Sequence, residues 1–127
     1  MSRALRAGVV AGVLSGVPST VHALATGGDV LAATRAAGTL LPGHRSPVLR
    51  GALAHVVVTA GWTAVLVVVH RRRPFGVVGG AVAGLGIAVL DLEVVGRRYP
   101  AIRALPRWPQ YADHVAFGAL VGGLLRR

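Results

Sequence analysis

At 127 residues the chain is long enough for one domain. Apolar residues make up 54% of it and charged residues 14%, far short of the roughly 25% charge that clothes a water-soluble domain. The balance is cationic, +10, and all fourteen basic residues are Arg. With no Cys, disulfides, thiol catalysis and zinc–thiolate sites are excluded. A basic chain can bind nucleic acid, but these arginines stand at the ends of apolar blocks, at 3 and 6, 71–73, 97 and 98, 126 and 127. That placement suits side chains that lay their stems along apolar surface and reach for anionic lipid headgroups. The partner implied is a lipid bilayer, not nucleic acid.

Four apolar segments follow in chain order. The first, "AGVVAGVLSGVPSTVHALA" (7–25), is Gly-rich, and Pro18 predicts a kink at which Ser19 and Thr20 satisfy freed backbone groups. The same stretch also reads as a cleaved secretory signal, with "MSRALR" as basic region and "ALA" (23–25) as cleavage site. Its glycines, where a signal would have leucines, favour a retained span. Next, "GGDVLAATRAAGTLLPG" opens on Asp29 as an N-cap and stops at Pro42. Too short to cross, with Arg35 at its centre, it predicts an interfacial helix over about 29–41.

"GALAHVVVTAGWTAVLVVVH" (51–70) and "FGVVGGAVAGLGIAVLDLEVVG" (75–96) each match the roughly 20 residues that cross a hydrocarbon layer. The tight "HRRRP" link makes them an antiparallel hairpin. "RRYPAIRALPRWPQY", with Trp108 and two tyrosines, predicts an interfacial loop with aromatic anchors. The last segment, "PQYADHVAFGALVGGLL" (109–125), is short, with Asp113 and His114 near its start. The whole predicts one all-α domain, an integral-membrane four-helix bundle with a short interfacial helix after the first span. Seven arginines fall on each side of such a bundle, so their number does not orient it. The triple Arg in a very short loop places both termini in the cytoplasm, in a multi-pass cell-membrane protein.

Small residues recur every four positions. Gly8, Gly12 and Gly16 line one face of the first span, and Gly76, Gly80 and Gly84 one face of the third. Gly118 and Gly122 follow His114 on the fourth, while Gly51, His55, Thr59 and Thr63 make a stripe on the second. Lipid gives helices no hydrophobic reason to associate, so faces that permit close backbone approach mark the packing sides. Such faces also fit a second copy of the chain or another membrane protein.

The chain has four acids, and two sit in "LDLEVVGRRYP" (90–100), where the third span ends. Seven residues after Gly84, Asp91 falls on the packing face, since each residue turns an α-helix by about 100°. Glu93 lies on the other side, with Arg97 four residues on in the favourable order for an ion pair. With spans alternating in direction, His22, His55, Asp91, Asp113 and His114 gather in one half of the membrane. Such a cluster can be interhelical glue that fixes register, or a proton or metal-ion site. No nucleophile motif, phosphate loop or recognised metal-ligand spacing is present, so no catalytic residue, cofactor or metal is assigned.

Through "SGVPSTVHAL", "LDLEVVGRRYPAIRALP" and "ADHVAFGALVG" the chain resembles small four-span integral membrane proteins of GC-rich bacteria. The resemblance implies a compact four-span architecture and transfers no activity. The function expected is a non-enzymatic accessory or partner-binding membrane module. The alternatives are a small proton, ion or solute transporter using Asp91, His55 and His114, and a membrane-embedded enzyme.

Overall fold

The computed structural model describes residues 1–127, which form helices, turns and loops without a strand. Helix α1 (Arg3–Leu14) starts at Ser2, whose hydroxyl accepts the Leu5 N–H at 3.1 Å. That bond fills a donor the first helical turn leaves free. After a break at Ser15 and Gly16 the rod resumes as α2 (Val17–Thr26) and ends on Gly27 at φ 69°, a left-handed cap that suits a residue without Cβ. Helix α4 (Pro47–Arg72) repeats the opening of α1: Ser46 Oγ accepts the Leu49 N–H, and Pro47 takes a position where no N–H is needed. Helix α5 (Val77–Ala88) continues without a stop into a π-helical segment, Val89–Val95, and a 3-10 turn, Gly96–Arg98. The single turn α6 (Pro100–Arg103) leads to α7 (Arg107–Arg126).

Three rods are long and apolar enough to cross a membrane: Arg3–Thr26, Pro47–Arg72 and Val77–Arg98. Their outward faces are apolar. Val13 and Leu24, Val56 and Val57, and Val78 and Val82 are all well exposed, and only 21 of 127 residues are buried. Water would penalise such a coat, whereas lipid would not.

Helix α7 is the hub. Helices α1, α2, α4 and α5 all pack on it, and between Pro109 and Leu125 it has no exposed residue. Its Phe117, Val121 and Leu125 meet Ala7 and Ala11 of α1, Leu66 of α4 and Ile87 of α5 in the main apolar cluster. A rod ringed by protein need not itself dissolve in lipid. This is why α7 tolerates more polar residues than the rods around it.

The glycine faces divide by partner. Gly80, Gly84, Gly118 and Gly122 bring α5 and α7 together backbone to backbone: a Cβ on Gly80 would strike the Gly118 carbonyl, and one on Gly84 the His114 carbonyl. Gly8 and Gly12 instead receive Thr63 and Thr59 of α4, at 3.0 and 2.9 Å from where their Cβ would be. Gly76 lies under the Arg126 side chain. Gly16 is a correction: nothing lies within 4 Å of its Cβ position, because it forms the break and not a packing face. The hairpin expectation also needs adjusting. Although a short turn joins α4 to α5, each packs more closely elsewhere, α4 on α1 and α3, and α5 on α7.

The helix expected over about 29–41 is shorter. Helix α3 (Ala32–Gly38) begins after Leu31, which holds the N-cap position, and crosses the start of α4 where Gly38 meets Gly51. Asp29 is therefore not the N-cap. Its carboxylate reaches two residues forward to the Leu31 N–H at 2.9 Å and pairs with Arg35, the local turn that Asp side chains favour over helix.

Substituting Gly84 by Val is expected to destabilise the bundle by about 3 kcal/mol, since backbone must move to admit the side chain. Gly86→Ala, whose Cβ enters open space, should be neutral or stabilising by up to about 1 kcal/mol. Unfolding in detergent micelles measures both, and equal losses would contradict the backbone-contact account.

Candidate functional site

Asp91 stands in the π-helical segment, where each backbone bond reaches one residue further than in an α-helix. The Gly96 N–H accordingly donates to the Asp91 carbonyl. Gly96 is required there, because a Cβ would lie 2.9 Å from that oxygen and from Ile102 Cγ2. π-Helical turns are rare and collect at functional sites.

The Asp91 carboxylate gathers two other rods. The Trp62 indole N–H on α4 faces both oxygens, at 3.2 Å to Oδ1 and 3.1 Å to Oδ2. His114 Nε2 on α7 lies 3.2 Å from Oδ2. The other ring nitrogen, Nδ1, is 2.7 Å from the Gln110 carbonyl. A carbonyl can only accept, so Nδ1 carries a proton and donates it. The two side chains are only 21% (His114) and 23% (Asp91) exposed, which places the contact inside the bundle.

The remaining polar residues serve the break in the first rod. In an unbroken helix the Ser19 N–H would bond to the Ser15 carbonyl, and the Gly12 carbonyl to the Gly16 N–H. Here Asp113 Oδ1 takes the Ser19 N–H at 2.8 Å, and His55 Nε2 lies 2.8 Å from the Gly12 carbonyl. Ser19 Oγ adds a bond to the Gly16 carbonyl at 3.2 Å. Thr20 contributes through its backbone N–H and not its hydroxyl. His22 packs edge-on against Trp108, with centroids 5.0 Å apart.

The five residues thus fall into three groups. Asp91 and His114 meet, Asp113 and His55 each fill the break, and His22 stands apart on Trp108. Sequence reasoning missed Trp62. A signal was present: it falls seven residues after His55, on the same helix face, and a mid-rod indole N–H needs a partner.

Glu93 keeps the expected pair with Arg97 and has two further partners, Arg107 and Tyr111. Arg97 Nη2 is 4.0 Å from Oε2, at the limit of an ion pair, while Arg107 Nη1 lies 2.5 Å and Tyr111 Oη 3.1 Å from Oε1. The π-helical segment accounts for the length of the Arg97 contact. A turn there takes more than four residues, so side chains at i and i+4 no longer stack as they do in an α-helix. No three His, Asp or Glu side chains converge closely enough to hold a metal ion.

Comparison with known protein families, curated proteins and solved structures finds no match to this chain. The class defined by its own residues is an all-helical protein with three rods fit to cross a membrane.

Asp113→Ala would leave the Ser19 N–H without its acceptor and should cost about 1–3 kcal/mol. Asp113→Asn keeps an acceptor oxygen and should cost less than half of that. Unfolding in micelles, with amide exchange at Ser19 as the local readout, distinguishes the two.

Proposed function

We propose that the chain is a non-enzymatic membrane module, a four-crossing helical bundle that serves as an accessory or partner-binding protein. The observation that carries this reading is the commitment of its ionisable groups. Asp91, Asp113, His55, His114 and Glu93 are each engaged with a group on a different rod or on the α7 hub. Polar side chains spent on neighbouring helices act as glue in an apolar solvent. The fourth crossing is α7. Its 20 residues extend about 30 Å, the thickness of the hydrocarbon layer, alongside the three apolar rods.

Charge supports an orientation that the number of arginines leaves tied. On the side of the termini, Arg3, Arg6, Arg71, Arg72, Arg73, Arg126 and Arg127 make no ion pair. On the other side Arg35 pairs with Asp29, and Arg97 and Arg107 with Glu93. Arg50 there donates to the Arg45 and Leu41 carbonyls at 3.1 Å. The seven uncompensated cations suit the anionic cytoplasmic leaflet, each contributing about 1 kcal/mol of headgroup attraction.

Because the chain has no Cys, single cysteines report its topology cleanly. With a membrane-impermeant maleimide, Ser2→Cys, Pro74→Cys and Arg127→Cys should label from the cytoplasmic side, and Ser46→Cys and Ala104→Cys from the other. Labelling of positions 104 and 127 from one side would remove the fourth crossing. Photo-crosslinkers at lipid-facing Val57 and Val82 should capture a second membrane protein. No adduct at either position would count against the partner-binding role.

A further inference from the structure

The hydrogen-bond geometry at Asp91 fixes a proton count. His114 Nδ1 is committed as a donor to Gln110, so Nε2 is the nitrogen free to bind or lose a proton. It faces Asp91 Oδ2 at 3.2 Å. A deprotonated ring nitrogen and a carboxylate oxygen are both acceptors, and they hold together only with a proton between them. That proton makes the pair imidazolium and carboxylate, or imidazole and carboxylic acid. Both forms are neutral overall. Without it the pair carries one negative charge, with two sets of lone pairs facing each other in a low-dielectric interior.

We propose that Asp91 and His114 form a one-proton binding site, and that the contact between the end of the third rod and α7 depends on whether it is loaded. The consequence for the helices rests on the membrane-crossing reading above, because lipid is what makes the unloaded charge costly. Loading is a simple transfer: a proton from a donor outside the pair joins the Nε2···Oδ2 contact, and unloading returns it. The indole N–H of Trp62 reaches both carboxylate oxygens and favours the charge-separated form, as donors to an anion do.

The neighbouring groups leave this role to the pair. On α4, His55 is turned to the Gly12 carbonyl. On the third rod, Glu93 is held by Arg107 and Tyr111. On α7, Asp113 is held by the Ser19 N–H, and on α2, His22 lies against Trp108. Helix α1 brings Ala7 and Ala11 to the bundle interior and no ionisable side chain. The mechanical link is short. The His114 carbonyl is the group that Gly84 abuts, so repulsion at Asp91 acts directly on the closest helix pair in the fold.

The test uses the full chain in phospholipid vesicles, with nitrogen-15 in its histidines, titrated by NMR. His114 Nδ1 should stay protonated at every pH while Nε2 moves in a single one-proton step. In a Trp108→Phe background, Trp62 emission should change with the same midpoint and a slope of one. His114→Gln should abolish that emission step. A deprotonated Nδ1, an Nε2 that shows no protonation step, or an emission step unchanged in His114→Gln would each overturn the proposal. Should His114→Gln lose its helicity, the histidine spectrum of the intact chain decides alone. Alkaline carbonate washing separates the two readings. A chain that washes off while Nε2 titrates in one step overturns the crossings and keeps the site; one that stays while Nε2 shows no step does the reverse.

Discussion

Breaking a helix in apolar surroundings frees backbone donors and acceptors that no water is at hand to satisfy, and each unmet group costs a few kcal/mol. The first rod breaks at Ser15 and Gly16, and the rest of the bundle is arranged around the answer. Asp113 comes from α7 to the freed N–H, and His55 from α4 to the freed carbonyl. Those two bonds tie the broken rod to the hub and to its other neighbour at one level. Ionisable side chains that a membrane would otherwise exclude are thereby given a structural reason to be present. The tolerance of α7 for Asp113, His114 and Gln110 follows from the same arrangement, because four helices pack on α7 and leave no residue from Pro109 to Leu125 fully exposed.

Small residues and polar residues divide the work of packing α5 on α7. Glycines at four-residue spacing let the two backbones touch, and contact at that range supplies the dispersion that lipid cannot outcompete. A regular ladder is nevertheless degenerate. Slipping one helix by four residues, about 6 Å, presents glycine to glycine again. The contact of Asp91 with His114 and Trp62 removes the degeneracy, since one carboxylate meets one imidazole in one register only. The π-helical turn and the Gly96 that permits it set the carboxylate where both partners reach it.

The two ends of the bundle differ in how their arginines are used. At the end bearing Asp29 and Glu93, four of the seven guanidinium groups close local structure, Arg35, Arg97 and Arg107 pairing with acids and Arg50 bonding to loop carbonyls. At the other end they have no acidic partner, and His70 shapes the turn instead, accepting the Phe75 N–H at 3.2 Å and packing edge-on against its ring. Equal numbers of cations therefore give unequal surfaces.

Much of this was legible in the residues alone. Long apolar runs punctuated by Arg, Pro and Gly determined the helical rods and their order, because helix length and solvent polarity are local demands. The four-residue spacing marked most of the packing faces for the same reason: a periodic pattern on one rod needs no knowledge of its neighbour. Asp91 was legible as an inward residue, since the helix stays regular from Gly84 to within a few residues of it. Glu93 was legible as a partner of Arg97, whereas its contacts with Arg107 and Tyr111 were not, because the backbone widens into a π-helical segment that depends on Gly96 fitting against Ile102 and not on any pattern in the run itself. The choice of α7 as hub, the entry of Trp62, and the division of five ionisable residues into three groups were decided by tertiary structure. Each depends on which rod lies beside which at a given height, and that is settled by summed packing over the whole bundle.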